Sequence, residues 1–394
     1  MRVFIEPTEA LSFRTGRPFD AGENTLAESL FPPTPETIQG AIRAAIATHW
    51  DTTKTLDEVF QNKDIVDRIG SRLDYGRFRI TSFTLGRRKQ NEGVIERLFP
   101  PPANILETKD EQENPVYLRL KPDKLDNVIS NMPVDMWCLL PNTSGIQTKG
   151  KFLGVNGWLT ETGLRNVLHT NENTVNLGQN LVRPGSIFVR ESRVGIGMQN
   201  SSKTTKDGFL YQSHMIRMQP DYGFVVDIHL SNNRESGKTN KPSKEEYLLT
   251  EQLEPRLLPS QGWLTLGGEQ RAARFYVLDE PMSALKSLHK EDYEQSEIGT
   301  LLYLATPAYF ENGWQPEHWE APLVRPITAA INKYQSIGGW LLNTSNGGGE
   351  NKCMRRCVPA GSVYFFDQPI QRTTPFTEYG WQIGYGTTMT GDWK

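Results

Sequence analysis

The strongest hydrophobic pattern in the sequence is helical and lies between residues 34 and 50. Thr34 is a good N-cap, and Pro35 suits the first helical position because its missing N–H costs nothing there. Apolar side chains then recur every three or four residues, at Ile38, Ala41, Ile42, Ala45 and Ile46. We therefore predict a helix that buries this face.

Three further residues of this segment carry predictions. Gly40 costs about 1 kcal/mol relative to alanine inside a helix, so we expect another element to pack closely against it. Arg43 points away from the apolar face. His49 ends the helix, where a cation complements the helix dipole, and this capping role is favoured over a catalytic one.

The other apolar segments are short and are typical of strands. They lie at residues 2–13 (interrupted by Pro7), 78–83, 186–196, 224–230, 263–268 and 363–366. Residues 107–133 are polar and turn-rich and resemble an insertion. A polar loop at 231–243 precedes a predicted helix capped by Ser243 and Glu246. Strand, helix and glycine-turn units recur in both halves without a clean repeat.

Length and charge restrict the class of protein. A chain of 394 residues usually divides into about two domains, and we place the boundary between 1–182 and 183–394, near the start of the second β-rich part. The formal charge is 43 − 46 = −3. No general basic field is available for nucleic acid, so any RNA site must be local.

The cysteines and the N-terminal residues indicate a cytoplasmic protein. Three cysteines are too few for a disulfide framework, and the pair Cys353 and Cys357 has no second thiol pair or suitably spaced histidine for zinc. We expect no metal, no cofactor, no signal peptide and no membrane segment.

Glycine turns and an arginine pair mark the C-terminal part. Glycine permits positive φ and lacks a Cβ, so such turns let backbone N–H groups approach phosphate closely. Glycine pairs also form plain hairpins and bulges, which is the better-supported interpretation without further context. The residues in question are Gly338, Gly339, Arg355, Arg356, Gly384 and Gly386.

A second group of candidates lies in the loops at strand ends. Arg14 and Arg17 bracket Gly16, while Arg190 and Arg193 precede a loop that contains Lys203. Separated cations beside aromatic residues suit phosphate contacts and base stacking on single-stranded RNA. We predict that Arg190, Arg193 and Lys203 lie on one RNA path.

Catalytic motifs are weak. The six histidines form no HExxH or other metal spacing, and no GxSxG motif occurs. Ser236-Gly237-Lys238-Thr239 resembles the end of a phosphate-binding loop, but Asn232 occupies the position of the first required glycine. We therefore expect no catalytic residues.

Five motifs occur together in the order that one known family shows. They are RTGRPF at 14–19, FPPTPETIQGAIR at 31–43, ESRVGI at 191–196, LGGE at 266–269 and VPAGSVY at 358–364. On these motifs the chain resembles, nearly end to end, the third-subunit family of the type III-B CRISPR Cmr effector complex. That family belongs to the RAMP superfamily and its Cas five-type group.

The resemblance implies an α+β fold with two ferredoxin-like (RRM-like) domains, a glycine-rich loop and inserted loops. It implies a non-catalytic subunit that holds the 5′ repeat-derived tag of the crRNA at the foot of the complex in antiviral defence. The implied partners are the large Cas ten-type subunit, the neighbouring Cmr backbone subunits and, indirectly, target RNA. Arg43, within the second motif, joins the RNA-binding candidates, and contacts through 107–133 or 231–243 stay open.

Two alternatives remain at this stage. A metal-independent repeat-RNA endoribonuclease on the same superfold would use His49 as general base. A nucleotide-binding enzyme would use Lys238. We further expect Gly386→Ala to weaken tag binding more than folding, and Gly361→Ala to do the reverse.

Overall fold

The computed structural model of the chain describes residues 1–15, 26–71, 74–89, 94–124, 137–143, 147–199, 201–231, 257–278, 298–316, 325–343, 348–371 and 375–394. The predicted loop 231–243 beyond Ser231, and the predicted helix after it, lie outside these residues. In the described part no helix is long and apolar enough to cross a membrane.

Helices form a small part of the structure. They are α1 (Pro35–Trp50), α2 (Leu56–Val59), α3 (Lys63–Ile69), α4 (Glu161–His169) and α5 (Pro184–Ile187). The strands are β1 (Arg2–Pro7), β2 (Leu26–Ala27), β3 (Phe78–Arg88), β4 (Ile95–Phe99), β5 (Ile105–Lys109), β6 (Pro115–Asp123), β7 (Cys138–Pro141), β8 (Lys149–Gly154), β9 (Trp158–Thr160), β10 (Leu181–Val182), β11 (Phe188–Met198), β12 (Thr205–Met218), β13 (Tyr222–Leu230), β14 (Gln261–Thr265), β15 (Ala272–Leu278), β16 (Ile298–Leu304), β17 (Thr328–Ala330), β18 (Gln335–Ile337), β19 (Trp340–Asn343), β20 (Gly348–Asn351), β21 (Arg355–Cys357), β22 (Val363–Gln371) and β23 (Thr388–Gly391).

An eight-stranded sheet forms the centre of the molecule, in the order β10-β9-β4-β3-β13-β1-β15-β14. Its middle strand β13 pairs antiparallel with β1, where Val226 faces Val3, and with β3, where Val226 faces Phe83. The sheet thus takes strands from both sides of the predicted boundary at 182/183. The chain has a mixed, strand-rich α and β structure, and two ferredoxin-like domains are not confirmed.

Helix α1 follows its prediction closely. The Thr34 side chain accepts a hydrogen bond from the Thr37 backbone N–H, Pro35 opens the helix, and His49 lies in the last turn. The predicted apolar face is buried against the central sheet with Val3, Phe224 and Val226. The expectation for Gly40 is wrong, since no atom lies within 4 Å of the position that a Cβ would occupy.

The region of the predicted insertion contributes to a separate antiparallel sheet in the order β7-β6-β5-β8. Its polar residues form strands because pairing satisfies their backbone groups, although residues 125–136 lie outside the described part. A second core joins this sheet to α4 and to the four-stranded sheet β17-β22-β16-β23. Residues 363–366 of β22 are fully buried, as their apolar character predicts.

A buried ionic network links four elements through the central sheet. The Arg2 Nε donates to Asp227 Oδ1 at 2.7 Å, and Arg97 Nη1 contacts Asp227 Oδ2 at 3.4 Å. Arg97 also pairs with Glu161 of α4 at 3.6 Å and donates to the Ser82 hydroxyl. Burial lowers the pKa of Arg97, and Asp227 and Glu161 oppose that shift.

We predict that Asp227→Asn lowers the free energy of unfolding by about 3–5 kcal/mol, because two buried guanidinium groups lose their shared counter-charge. Denaturant titration measures the change. Asp64→Asn is the control, since Asp64 pairs with Arg68 at the surface and such pairs contribute little. Equal effects of the two substitutions would contradict the prediction.

Candidate nucleic-acid interface

Strands β11 and β12 form a long antiparallel hairpin, which carries several of the predicted cations. The turn is closed by backbone hydrogen bonds between Gln199 and Thr204 and between Lys203 and Gln199, with Lys203 at positive φ. At about 3.4 Å per residue, Lys203 lies roughly 20 Å along the hairpin from Arg193. The hairpin therefore offers cations at separate points rather than in one cluster.

The base of this hairpin brings two of the predicted arginines together. Arg14 forms an isolated β-bridge with Ser29, and Arg190 Nη1 donates to the Ser29 carbonyl at 3.3 Å. The Ser29 hydroxyl accepts from the Phe13 backbone N–H, which holds the three segments in place. Arg17, the other arginine of that loop, lies outside the described residues.

Arg193 lies on the opposite face of the hairpin from Arg190, since residues an odd number apart on a strand alternate between faces. Its guanidinium pairs with Glu191 at 3.3 Å, and Arg217 also pairs with Glu191. The hydrogen bond from Arg217 lowers the pKa of Glu191, with Arg193 adding to the effect. Any phosphate at Arg193 must therefore compete with a local carboxylate.

The outer half of the hairpin exposes apolar side chains. Val194, Ile196 and Met198 share one face and are each more than half exposed. On the other face Tyr211 lies over Gly195, where a Cβ would come within 2.1 Å of the tyrosine ring. Gly195 thus makes room for Tyr211, and the hairpin combines exposed cations with surfaces that bases can contact.

The glycine pair Gly338-Gly339 lies in a second, irregular hairpin. Here β18 pairs with β21 and β19 pairs with β20, while residues 352–354 oppose the two glycines. Neither glycine has positive φ. A Cβ at Gly338 would meet the Met354 sulfur at 2.4 Å, and one at Gly339 would meet the Lys352 side chain at 3.1 Å. The pair thus serves a bulged hairpin, the interpretation favoured without context.

The arginine pair of β21 points to opposite sides of this second hairpin. The Arg355 guanidinium carbon lies 3.7 Å from the centre of the Tyr379 ring and 5.5 Å from that of Tyr309. Arg356 lies 5.2 Å over the ring of Tyr334, which is half exposed. Arg356 and Tyr334 form an exposed cation and aromatic surface, whereas Arg355 is partly enclosed.

The predicted RNA contact of Arg43 is affected by the hydrogen bonds that this side chain makes within the protein. The Arg43 guanidinium donates to the Ile69 carbonyl at 2.6 Å, to the Ser71 and Asp74 carbonyls, and to Gln39. These bonds tie α1 to the segment after α3 and leave the group little capacity for phosphate. We therefore remove Arg43 from the candidate interface.

Gly384 and Gly386 are buried and have φ of +94° and +69°. A Cβ at Gly386 would lie 2.7 Å from the backbone of Phe376, and Gly361 (φ +90°) is similarly close to the Pro101 carbonyl. The expected contrast between Gly386 and Gly361 is thus replaced by a common structural role. Neither Gly384 nor Gly386 presents an open backbone to RNA.

His49, the general base of the endoribonuclease alternative, contacts residues of α1 and β15. The His49 Nδ1 lies 2.8 Å from the Ala45 carbonyl, and its ring packs edge-on against Phe275. No three histidine, cysteine or acidic side chains of the described part come together as metal ligands. The loop with Lys238 lies outside those residues.

A family model described as CRISPR-associated protein (Cas_Cmr3) matches residues 3–393. The chain belongs to this family. The resemblance drawn from the five motifs is thereby confirmed. No curated protein matches the chain.

This chain is similar, at low sequence identity, to chains in three solved structures of Cmr-beta assemblies. A chain of the type III-B Cmr-beta bound to cognate target RNA and AMPPnP, state 1, is 17% identical, with a TM-score of 0.45 and coverage of 93% of this chain and 86% of that one. A chain of the complex bound to cognate target RNA is 16% identical, with a TM-score of 0.46 and the same coverage. A chain of the apo state is 12% identical, with a TM-score of 0.28 and coverage of 71% and 97%.

Sequence reasoning overlooked several residues of the two hairpins. Tyr334 directly precedes β18 and Arg217 lies on β12, while Lys352 and Met354 oppose the glycine pair. A tyrosine four residues before the glycine pair was the available signal for Tyr334. The contact of Arg217 with Glu191 depends on strand register, which the sequence pattern does not reveal.

We predict that Gly386→Ala destabilises the protein by about 1 kcal/mol or more, because alanine resists positive φ and its Cβ would meet backbone atoms. Gly40→Ala, in an open helical position, should stabilise it by about 0.5–1 kcal/mol. Thermal melting of both variants measures the difference. A Gly386→Ala protein with unchanged stability would contradict the structural role.

Proposed function

We propose that this chain is a subunit of a type III-B CRISPR Cmr complex and that it binds the 5′ repeat-derived tag of the crRNA without cutting it. The observation that carries the proposal is the family match over residues 3–393. The similar solved chains come from assemblies whose names specify type III-B Cmr-beta and, in two cases, cognate target RNA.

The described surface supports local RNA binding by a chain with a net charge of −3. Cations occupy two exposed hairpins: Arg190, Arg193 and Lys203 on the first, and Arg356 on the second. Phosphate contacts position a strand, and exposed rings and aliphatic side chains contact its bases. Such an interface suits a few nucleotides of guide RNA and leaves other faces for the large Cas ten-type subunit and the backbone subunits.

The first test concerns the RNA path. We predict that joint reversal of Arg190, Arg193 and Lys203 to glutamate weakens retention of guide RNA and flattens its salt dependence. Each lost phosphate contact removes about 0.7 from the slope of log K against log salt on single-stranded RNA, so three contacts remove about 2.

The control is a triple reversal at Lys54, Arg165 and Lys149, which are exposed and lie outside the two hairpins. It changes the net charge equally. Affinity is measured across a salt titration for both triple variants. If the two variants behave alike, the hairpin does not lie on the RNA path.

The second test concerns catalysis. We predict that the purified chain leaves repeat RNA intact in EDTA, because the His49 ring is held by the Ala45 carbonyl and packs edge-on against Phe275. Gel analysis of end-labelled RNA measures cleavage. Cutting that His49→Ala abolishes would replace this proposal with the endoribonuclease.

A further inference from the structure

One edge of the central sheet has no neighbouring strand in the part of the chain that the structure describes. Strand β14 ends the strand order and pairs only with β15. The Val277 N–H donates to the Ser260 carbonyl at 2.8 Å, which fixes the phase of this antiparallel ladder. Because hydrogen-bonded pairs alternate along the ladder, Gln261, Trp263 and Thr265 direct their backbone N–H and C=O groups to the open edge.

This edge lacks the features that usually prevent a strand from pairing with another chain, which include bulges, prolines and charged side chains. The sequence of β14, QGWLT, contains none of these, and its register with β15 is continuous. Strand β8, an edge of the separate sheet, provides a contrast because its register is interrupted and it carries Lys149 and Lys151. The open edge of β14 is therefore suited to pair with a further strand.

A tryptophan and an arginine lie beside this edge on one face of the sheet. Leu264 is buried in the core that includes α1, so Trp263 points to the opposite face. Trp263 is 52% exposed, and the Arg274 guanidinium carbon lies 4.8 Å from the centre of its ring. Tryptophan and arginine are among the residue types that most often dominate the binding energy of protein interfaces.

Arg274 has no counter-charge among the described residues. Its guanidinium makes no hydrogen bond or ion pair with them. Glu6, which lies opposite Arg274 on β1, instead pairs with Arg88 at 3.4 Å. Charge complementarity at an interface therefore favours an acidic side chain on the partner that covers Trp263.

The open edge and these two side chains together favour an extended polypeptide over RNA or a second copy of this chain. A strand offers N–H and C=O groups in alternation along the edge, whereas a phosphate backbone offers acceptors only. Symmetric pairing of two copies about Trp263 would bring two Arg274 side chains toward each other across the new ladder, and like charges there are destabilising.

We propose that β14 is a docking edge for an extended segment of another protein subunit, which adds a strand to the central sheet and places an acidic side chain near Arg274. Backbone hydrogen bonds along the edge contribute affinity, and Trp263 with Arg274 contributes specificity. The inference rests on the proposed function, because membership of a complex with several subunits provides the partner.

Hydrogen exchange of backbone amides, measured by mass spectrometry with residue resolution, tests the docking edge. The samples are the chain alone, the chain with guide RNA, and a Cmr complex reconstituted from all subunits. We expect exchange at Gln261, Trp263 and Thr265 to slow at least tenfold in the complex only. The amides of Gly262 and Leu264, which already bond to β15, are the internal reference.

The other exchange results each overturn the inference. Slowing by guide RNA alone would show that RNA covers the edge, and slowing that rises with the concentration of the free chain would show a second copy. If the complex assembles and these amides exchange as in the free chain, β14 is not a docking edge and the proposed function stands. If the chain joins no complex, both are wrong.

Substitutions of β14 provide an independent measurement through the affinity of the chain for the subcomplex of the other subunits. Trp263→Ala should weaken this affinity about thirtyfold, the effect of one dominant interface residue, and leave the melting temperature and guide-RNA affinity unchanged. Gln261→Pro removes an N–H directed to the open edge and no β14–β15 bond, so it should weaken the affinity about fivefold. Gln261→Ala keeps that N–H and is the matched control.

Tyr334→Ala is the control for loss of an exposed ring beside an arginine. Tyr334 is 49% exposed and lies under Arg356 on the other hairpin, away from β14. This variant should keep the affinity for the subcomplex. Arg274→Glu should weaken that affinity and Arg274→Lys should largely keep it, because the partner's side chain is acidic. If both Trp263→Ala and Gln261→Pro bind the subcomplex as tightly as the unmodified chain, the inference is wrong.

Discussion

Asp227 is the charge around which the central sheet is assembled. It lies on β13, the strand between β1 and β3, and it is shared by Arg2 and Arg97 from strands far away in the chain. A buried carboxylate with two buried guanidinium groups is stable only when all three are in place, since removal of any one leaves an uncompensated charge. The network thereby couples the register of β1, β13 and β4, and through Glu161 it orients α4.

Because this network holds the central sheet together, the β11–β12 and β18–β21 hairpins can carry exposed residues that contribute little to folding. The β11–β12 hairpin exposes the apolar side chains of Val194, Ile196 and Met198, whose burial would stabilise the folded chain. The β18–β21 hairpin exposes Arg356 over Tyr334. In contrast, Arg43 uses its donors within the fold. The arginines are therefore divided between structure and surface by the partners that the tertiary structure supplies.

Much of the local structure could be predicted because it depends on near neighbours. The α1 helix follows from the Thr34 cap, Pro35 and an apolar period that five residues share. The prediction of a buried strand at residues 363–366 is confirmed. Five motifs in order identified the family, because residue identities and their order can be recognised without knowledge of the fold.

The sequence by itself determined the elements with strong periodicity, the family and the condition that any RNA site must be local in a chain with a net charge of −3. Only the tertiary structure decided how each arginine and glycine is used. Arg43 and Arg356 look alike in sequence, but one faces backbone carbonyls and the other an exposed ring. Gly339 and Gly386 differ in the same way, because φ and the atoms around a missing Cβ are set by segments distant in the chain.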